Sequence, residues 1–136
     1  QNREIFSFVK KIIRFRKDYA MIRQEEPVQL TDTGGYGWPQ LSYHEEHAWI
    51  TEDYSNRRAV GILYCGRYDG VRENVYLGFN FSDYPKRLAL PRQTGRHNWY
   101  LHMDTGRKHS FPAEEEPVKD SWYLQEAQSV CILIGR

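Results

Sequence analysis

The second half of this chain is a succession of short apolar runs, each closed by turn chemistry, and that pattern limits it to a small set of folds. The runs are rich in β-branched and aromatic residues and too short for helices, so they read as strands. They predict seven strands, at His47–Ile50, Arg58–Cys65, Val75–Phe81, Lys86–Leu90, Trp99–Met103, Trp122–Leu124 and Ser129–Ile134. The connectors carry Gly, Pro, Asn and Asp: Gly66 to Gly70, Ser82-Asp83-Tyr84-Pro85, Pro91 to Gly95 and Asp104 to Gly106. Short strands with frequent turns predict an all-β fold, an antiparallel β-sandwich. A chain of 136 residues is long enough to form one hydrophobic core without covalent staples.

The first segment follows a different period. Ile5, Phe8, Ile12, Phe15, Tyr19 and Ile22 recur at spacings of three and four, which predicts a helix. Phe6, Val9 and Ile13 widen the apolar stripe, while Arg3, Ser7, Lys10, Arg14 and Lys17 form a polar face. Asn2 fits an N-cap and Glu4 sits where the helix dipole favours an acid. Pro27 marks the boundary beyond the helix. A basic amphipathic helix also suits a membrane surface or a calmodulin-like partner. The breadth of this stripe, and the folded domain that follows, favour a helix that docks through its apolar face. The expected division is residues 1–26 as a helix and residues 27–136 as a β-sandwich domain. The chain opens at Gln1 directly on the helical pattern, as expected of a segment of a longer protein.

Composition excludes some functions. The formal net charge is +1, so no strong field draws nucleic acid or anionic lipid. No run approaches the ~18 apolar residues expected of a membrane-spanning helix. Aromatics reach 15%, which suits strands in a packed core and equally suits a sugar-stacking surface. Cys65 and Cys131 both lie in apolar runs and are expected to be buried free thiols.

Chemical motifs are sparse. Thr33-Gly34-Gly35-Tyr36-Gly37-Trp38-Pro39 lies in a stretch, residues 28 to 46, that reads mostly as loop. No Gly-Lys-Ser/Thr follows it, so it is not a phosphate loop. His44-Glu45-Glu46-His47 places two histidines at i and i+3. On an extended chain these point to opposite faces, so no shared metal is expected. Glycoside hydrolysis needs two carboxylates held close together. The acids here lie mostly in connectors, and Glu114-Glu115-Glu116 between Pro112 and Pro117 reads as a solvated loop. There is no nucleophile elbow, no cofactor motif, and no visible base beside either cysteine.

The order of segments nevertheless resembles the C-terminal β-domain of isoamylase-type debranching enzymes, glycoside hydrolases of the α-amylase superfamily. Phe8 to Lys17 is similar to the last barrel helix of that family. Gly37-Trp38-Pro39-Gln40-Leu41-Ser42-Tyr43-His44, with Ala48-Trp49, is similar to the segment leading into the β-domain. Asp53-Tyr54-Ser55 with Arg58-Ala59-Val60 resembles a family strand entrance, and Val75 to Asn80 a strand ending in a family asparagine. Leu88-Ala89-Leu90-Pro91, Trp99 and Asp104-Thr105 follow in family order. Glu45 departs from the pattern, where the family usually has glycine.

The resemblance implies a parent enzyme that hydrolyses α-1,6 branches of glycogen or starch-like glucans, with its carboxylates in an upstream barrel and none to carry over here. It implies a non-catalytic accessory domain whose partner is that barrel of the same polypeptide, in a cytoplasmic setting, with no cofactor. The helix then has two neighbours, and the isolated chain is expected to self-associate through it. An autonomous carbohydrate-binding module is the competing expectation, with Tyr36 and Trp38 as the stacking platform because loops carry binding and aromatic faces suit sugar rings. A non-carbohydrate interaction domain is the third.

Overall fold

The computed structural model describes residues 2–45, 47–49, 58–93 and 98–136, with the side chain of Asn2 excepted. The N-cap role of Asn2, the strand entrance at Asp53-Tyr54-Ser55, and the expectations for Glu46 and Ile50 lie outside these residues. One helix, α1 (Asn2–Asp18), precedes eight strands: β1 (Leu41–His44), β2 (Ala59–Tyr64), β3 (Asn74–Asn80), β4 (Lys86–Ala89), β5 (Trp99–Asp104), β6 (Glu116–Val118), β7 (Trp122–Gln125) and β8 (Ser129–Gly135). A short 3₁₀ turn, Ala20–Arg23, follows α1, and another, Gly66–Asp69, follows β2. Six strands form an antiparallel sheet in the order β1-β2-β3-β8-β5-β6, and β4 pairs with β7 in a second. The all-β, sandwich-like expectation with one N-terminal helix is what the chain forms. No helix among the described residues is long and apolar enough to cross a membrane.

The large sheet is covered on both faces. One face, with Leu63, Tyr76, Leu101, Cys131 and Leu133, packs on Leu88 and Tyr123 of the small sheet. The other, with Val75, Met103, Ile132 and Ile134, packs on Phe15 of α1 and on Tyr19 and Met21 just beyond its end. Strand β8 alternates its side chains between these two cores, which is why Val130-Cys131-Ile132-Leu133-Ile134 reads as an unbroken apolar run. Gly78 lets the small sheet approach: a Cβ there would stand 2.6 Å from Cys131 Sγ and 3.0 Å from Leu88 Cδ1. Both cysteines are buried free thiols.

Strand β5 also serves both cores, and it carries a bulge at His102. Leu101 pairs with Leu133 and Met103 with the next residue back, Ile132, so one residue on β5 has no opposite number. The His102 ring sits between Phe15 and Phe111, with centroids 5.5 and 5.7 Å away.

Three sequence expectations are corrected. The strand expected from His47 lies earlier, at Leu41–His44, where the backbone pairs with β2; residues 47–49 form a turn. Glu116-Pro117-Val118 is an edge strand rather than a solvated loop. Pro117 pairs with Tyr100 at the sheet margin, where a missing N–H costs little. Glu115 is half-buried and bonds the Arg136 guanidinium. Finally, α1 ends at Asp18, so Ile22 of the predicted stripe sits in the 3₁₀ turn.

Asn80 ties strand ends together. It is fully buried, and its amide nitrogen lies 2.9 Å from Tyr84 O, 3.1 Å from Gln125 O and 3.0 Å from Glu126 O. Its Oδ1 accepts from Ser82 N at 3.0 Å and Ser82 Oγ at 2.7 Å. Asn80→Ala strands several buried backbone groups, each costing ~1–3 kcal/mol. The expected loss is at least about 2 kcal/mol by urea unfolding, and a variant within 0.5 kcal/mol of wild type (about the scatter of surface substitutions) would contradict it.

Candidate functional site

A cleft of about 510 Å³ opens beside the 3₁₀ turn after β2, lined among others by Tyr36, Trp38, Arg67, Arg72, Asn74 and Gln93. Three loops build it, and each is held by specific bonds. In the first, Asp32 accepts from Tyr36 N at 2.9 Å and Gly37 N at 2.8 Å. Gly35 and Gly37 have φ of +67° and +87°, where other residues are strained. The Tyr68 hydroxyl lies 2.8 Å from both Asp32 Oδ1 and the Trp38 carbonyl, and its ring packs edge-on to Tyr36 at 4.9 Å. The Tyr68 hydrogen bond leads the effects that hold the Asp32 carboxyl below its ordinary value.

The second and third loops meet through amides. Asn74 Oδ1 accepts from Gly66 N at 2.9 Å, and Asn74 Nδ2 donates to Gln93 Oε1 at 2.9 Å. Pro91 is fixed by Trp99 Nε1, which donates to its carbonyl at 2.9 Å. Gln93 is 8% exposed and lies where a side chain on Gly135 would stand. Its Nε2 is buried with no hydrogen-bond partner among the described residues. Neither Arg67 nor Arg72 pairs with a carboxylate among those residues. The cleft also contains Cys65, whose thiol burial pushes up, so it is not poised as a nucleophile.

Tyr36 and Trp38, the two residues singled out for sugar stacking, thus line one cleft. Tyr36 is 40% exposed and Trp38 is half-buried, packing edge-on to Trp49 at 5.7 Å. Sequence reading missed Arg67, Arg72, Asn74 and Gln93. They lie in connectors that read only as turns, and no local spacing links residue 67 to residue 93.

Carboxylates do not assemble into a hydrolytic pair among the described residues. The buried Asp104 is bonded by the Tyr123 hydroxyl and by Gly106 N at 2.8 Å. Glu73 and Glu115 share Arg136, and Glu116 pairs with Arg107 at 2.6 Å.

His44 is fully buried and both ring nitrogens are engaged. Nδ1 accepts from Trp49 N at 2.8 Å, so Nε2 carries the proton and donates to Ser42 Oγ at 2.8 Å. This bond holds Trp49 at φ +68°, a conformation unusual outside glycine. No His/Cys/Asp/Glu grouping among the described residues has metal-site geometry.

No family model matches the chain, and no curated protein matches it.

Burial pushes the His44 imidazole down to about 4, whereas an unfolded histidine titrates near 6.5. The folded value is depressed, so the unfolded chain takes up the proton first as pH falls. The stability carried by neutral His44 is complete above pH ~6.5 and declines until about pH 4, a span of roughly 3 kcal/mol. His44→Gln removes this component. The stability gap between wild type and variant, read from urea midpoints, is expected to be wide at pH 7 and much narrower near pH 4. A gap constant across that range contradicts the assignment.

Proposed function

We propose that this chain is the C-terminal accessory domain of a glycoside hydrolase that cleaves α-1,6 branches in glycogen or starch-like glucans, with catalysis in an upstream barrel of the same polypeptide. The observation that carries the reading is the outer side of α1. Phe8, Ile12 and Phe15 pack on the sheet, while Ile5, Phe6, Val9 and Ile13 are exposed at 64, 65, 45 and 49%. At ~100° per residue the two sets form a continuous apolar arc of roughly 180°. Four large exposed apolar residues on one helix mark an interface, and covering each contributes ~1.5–3 kcal/mol. A barrel packed there is the arrangement the family resemblance implies.

The isolated chain is expected to release no reducing sugar from pullulan or glycogen. It is expected to self-associate in light scattering, and Ile5→Lys with Val9→Glu and Ile13→Lys should make it monomeric. The same changes in a polypeptide that includes the barrel should lower its activity and stability. The sequence immediately upstream of Gln1 is decisive, since a stretch without barrel strands and an Asp/Glu/Asp set overturns the reading.

A second reading, an α-glucan-binding module, is favoured by one observation: Tyr36 and Trp38 line the same cleft. Retardation in a glycogen-containing gel that Trp38→Ala abolishes would promote it.

A further inference from the structure

We infer that the cleft beside the 3₁₀ turn after β2 binds a phosphate monoester carried on a small ring-bearing metabolite, a sugar phosphate or a nucleotide. The inference does not depend on the docking role of α1. It shares Tyr36 and Trp38 with the glucan reading but rests on different groups.

The polar lining has a single sense. Arg67 and Arg72 contribute guanidiniums without a carboxylate partner among the described residues, and none of the lining side chains is acidic. Asn74 spends both ends of its amide on Gly66 and Gln93. That bond occupies the Gln93 oxygen and leaves its buried Nε2 as a donor without an acceptor. A buried unpaired donor carries a desolvation penalty that a ligand acceptor relieves. Two guanidiniums and one amide N–H₂ call for a compact, oxygen-rich anion, and guanidinium geometry suits phosphate. A neutral glucan offers hydroxyls that satisfy the amide but leave both charges uncompensated.

The apolar part of the lining gives the second half of the specificity. Tyr36 and Trp38 line the cleft beside these donors, on a loop pinned by Asp32 and Tyr68. The volume, about 510 Å³, is in the range of small-ligand sites. Inorganic phosphate alone would use the donors and leave the rings idle.

Isothermal titration of the full chain at low ionic strength tests this, with glucose 6-phosphate, adenosine monophosphate, inorganic phosphate, glucose and maltose as probes. At least one of the two esters is expected to bind about tenfold or more tightly than glucose or maltose, the value of one charge-assisted hydrogen bond, and also more tightly than phosphate, through its ring against Tyr36 and Trp38. The stronger ester identifies the ring as sugar or nucleoside. Arg67→Ala with Arg72→Ala, both exposed positions, should weaken it about tenfold or more without changing the melting temperature, and added salt should weaken it similarly. Gln93→Met, which keeps length but removes the donor, should also weaken it; circular dichroism checks its fold. Maltose binding as tight as either ester, binding of phosphate alone with no gain from the ring, or ester binding indifferent to the arginine pair would each overturn the proposal.

Discussion

Everything in this fold is arranged around two strands that bury both faces. β3 and β8 lie in the middle of the six-stranded sheet, and each feeds two separate cores. A strand in that position cannot carry a solvent-facing residue in its central run, so β8 is continuously apolar where an ordinary sandwich strand alternates. The consequence is that the helix is a second layer, not an appendage. Without Phe15, Tyr19 and Met21, the outer faces of Val75, Ile132 and Ile134 would meet water.

The loops at the edge of this framework are organised by polar side chains that bond backbone. Asp32 and Tyr68 hold the glycine-rich loop, Asn74 holds the turn after β2, Asn80 gathers three strand ends, and His44 holds the turn after β1. Each uses a short or planar side chain that satisfies more than one buried group, which is how irregular backbone stays inside a structure. The cleft is the product of three such loops meeting. The Gln93 amide is held there by its bond to Asn74, one of those that shape the loops.

The strands were legible where apolar residues ran together: β2, β3, β4, β5, β7 and β8 lie within a residue or two of their expected positions. β1 was hidden because Leu41-Ser42-Tyr43-His44 is half polar, and its strand character comes from pairing with β2 and not from its own composition. β6 was hidden because Glu and Pro disfavour strands, and an edge position tolerates both. The excess breadth of the helix stripe was visible in the sequence, and Ile5, Phe6, Val9 and Ile13 do stay exposed. Half the cleft was visible too, in the aromatic residues of a glycine-rich loop. The arginines and Gln93 were not, because their meaning comes from distant segments converging and from an amide whose partner is already taken.

The bulge in β5 leaves both roles of that strand intact. Trp99, Leu101 and Asp104 face the small sheet, and Met103 faces the helix. Leave out His102 and that same assignment is the ordinary alternation of an unbroken strand. The extra residue is therefore an insertion that disturbs neither core, and what it adds is a ring between Phe15 and Phe111 with a nitrogen 3.3 Å from Glu115. Length at this point of the strand is free to vary by one, while a residue gained or lost anywhere else in β5 would turn one core's side chains into the other's.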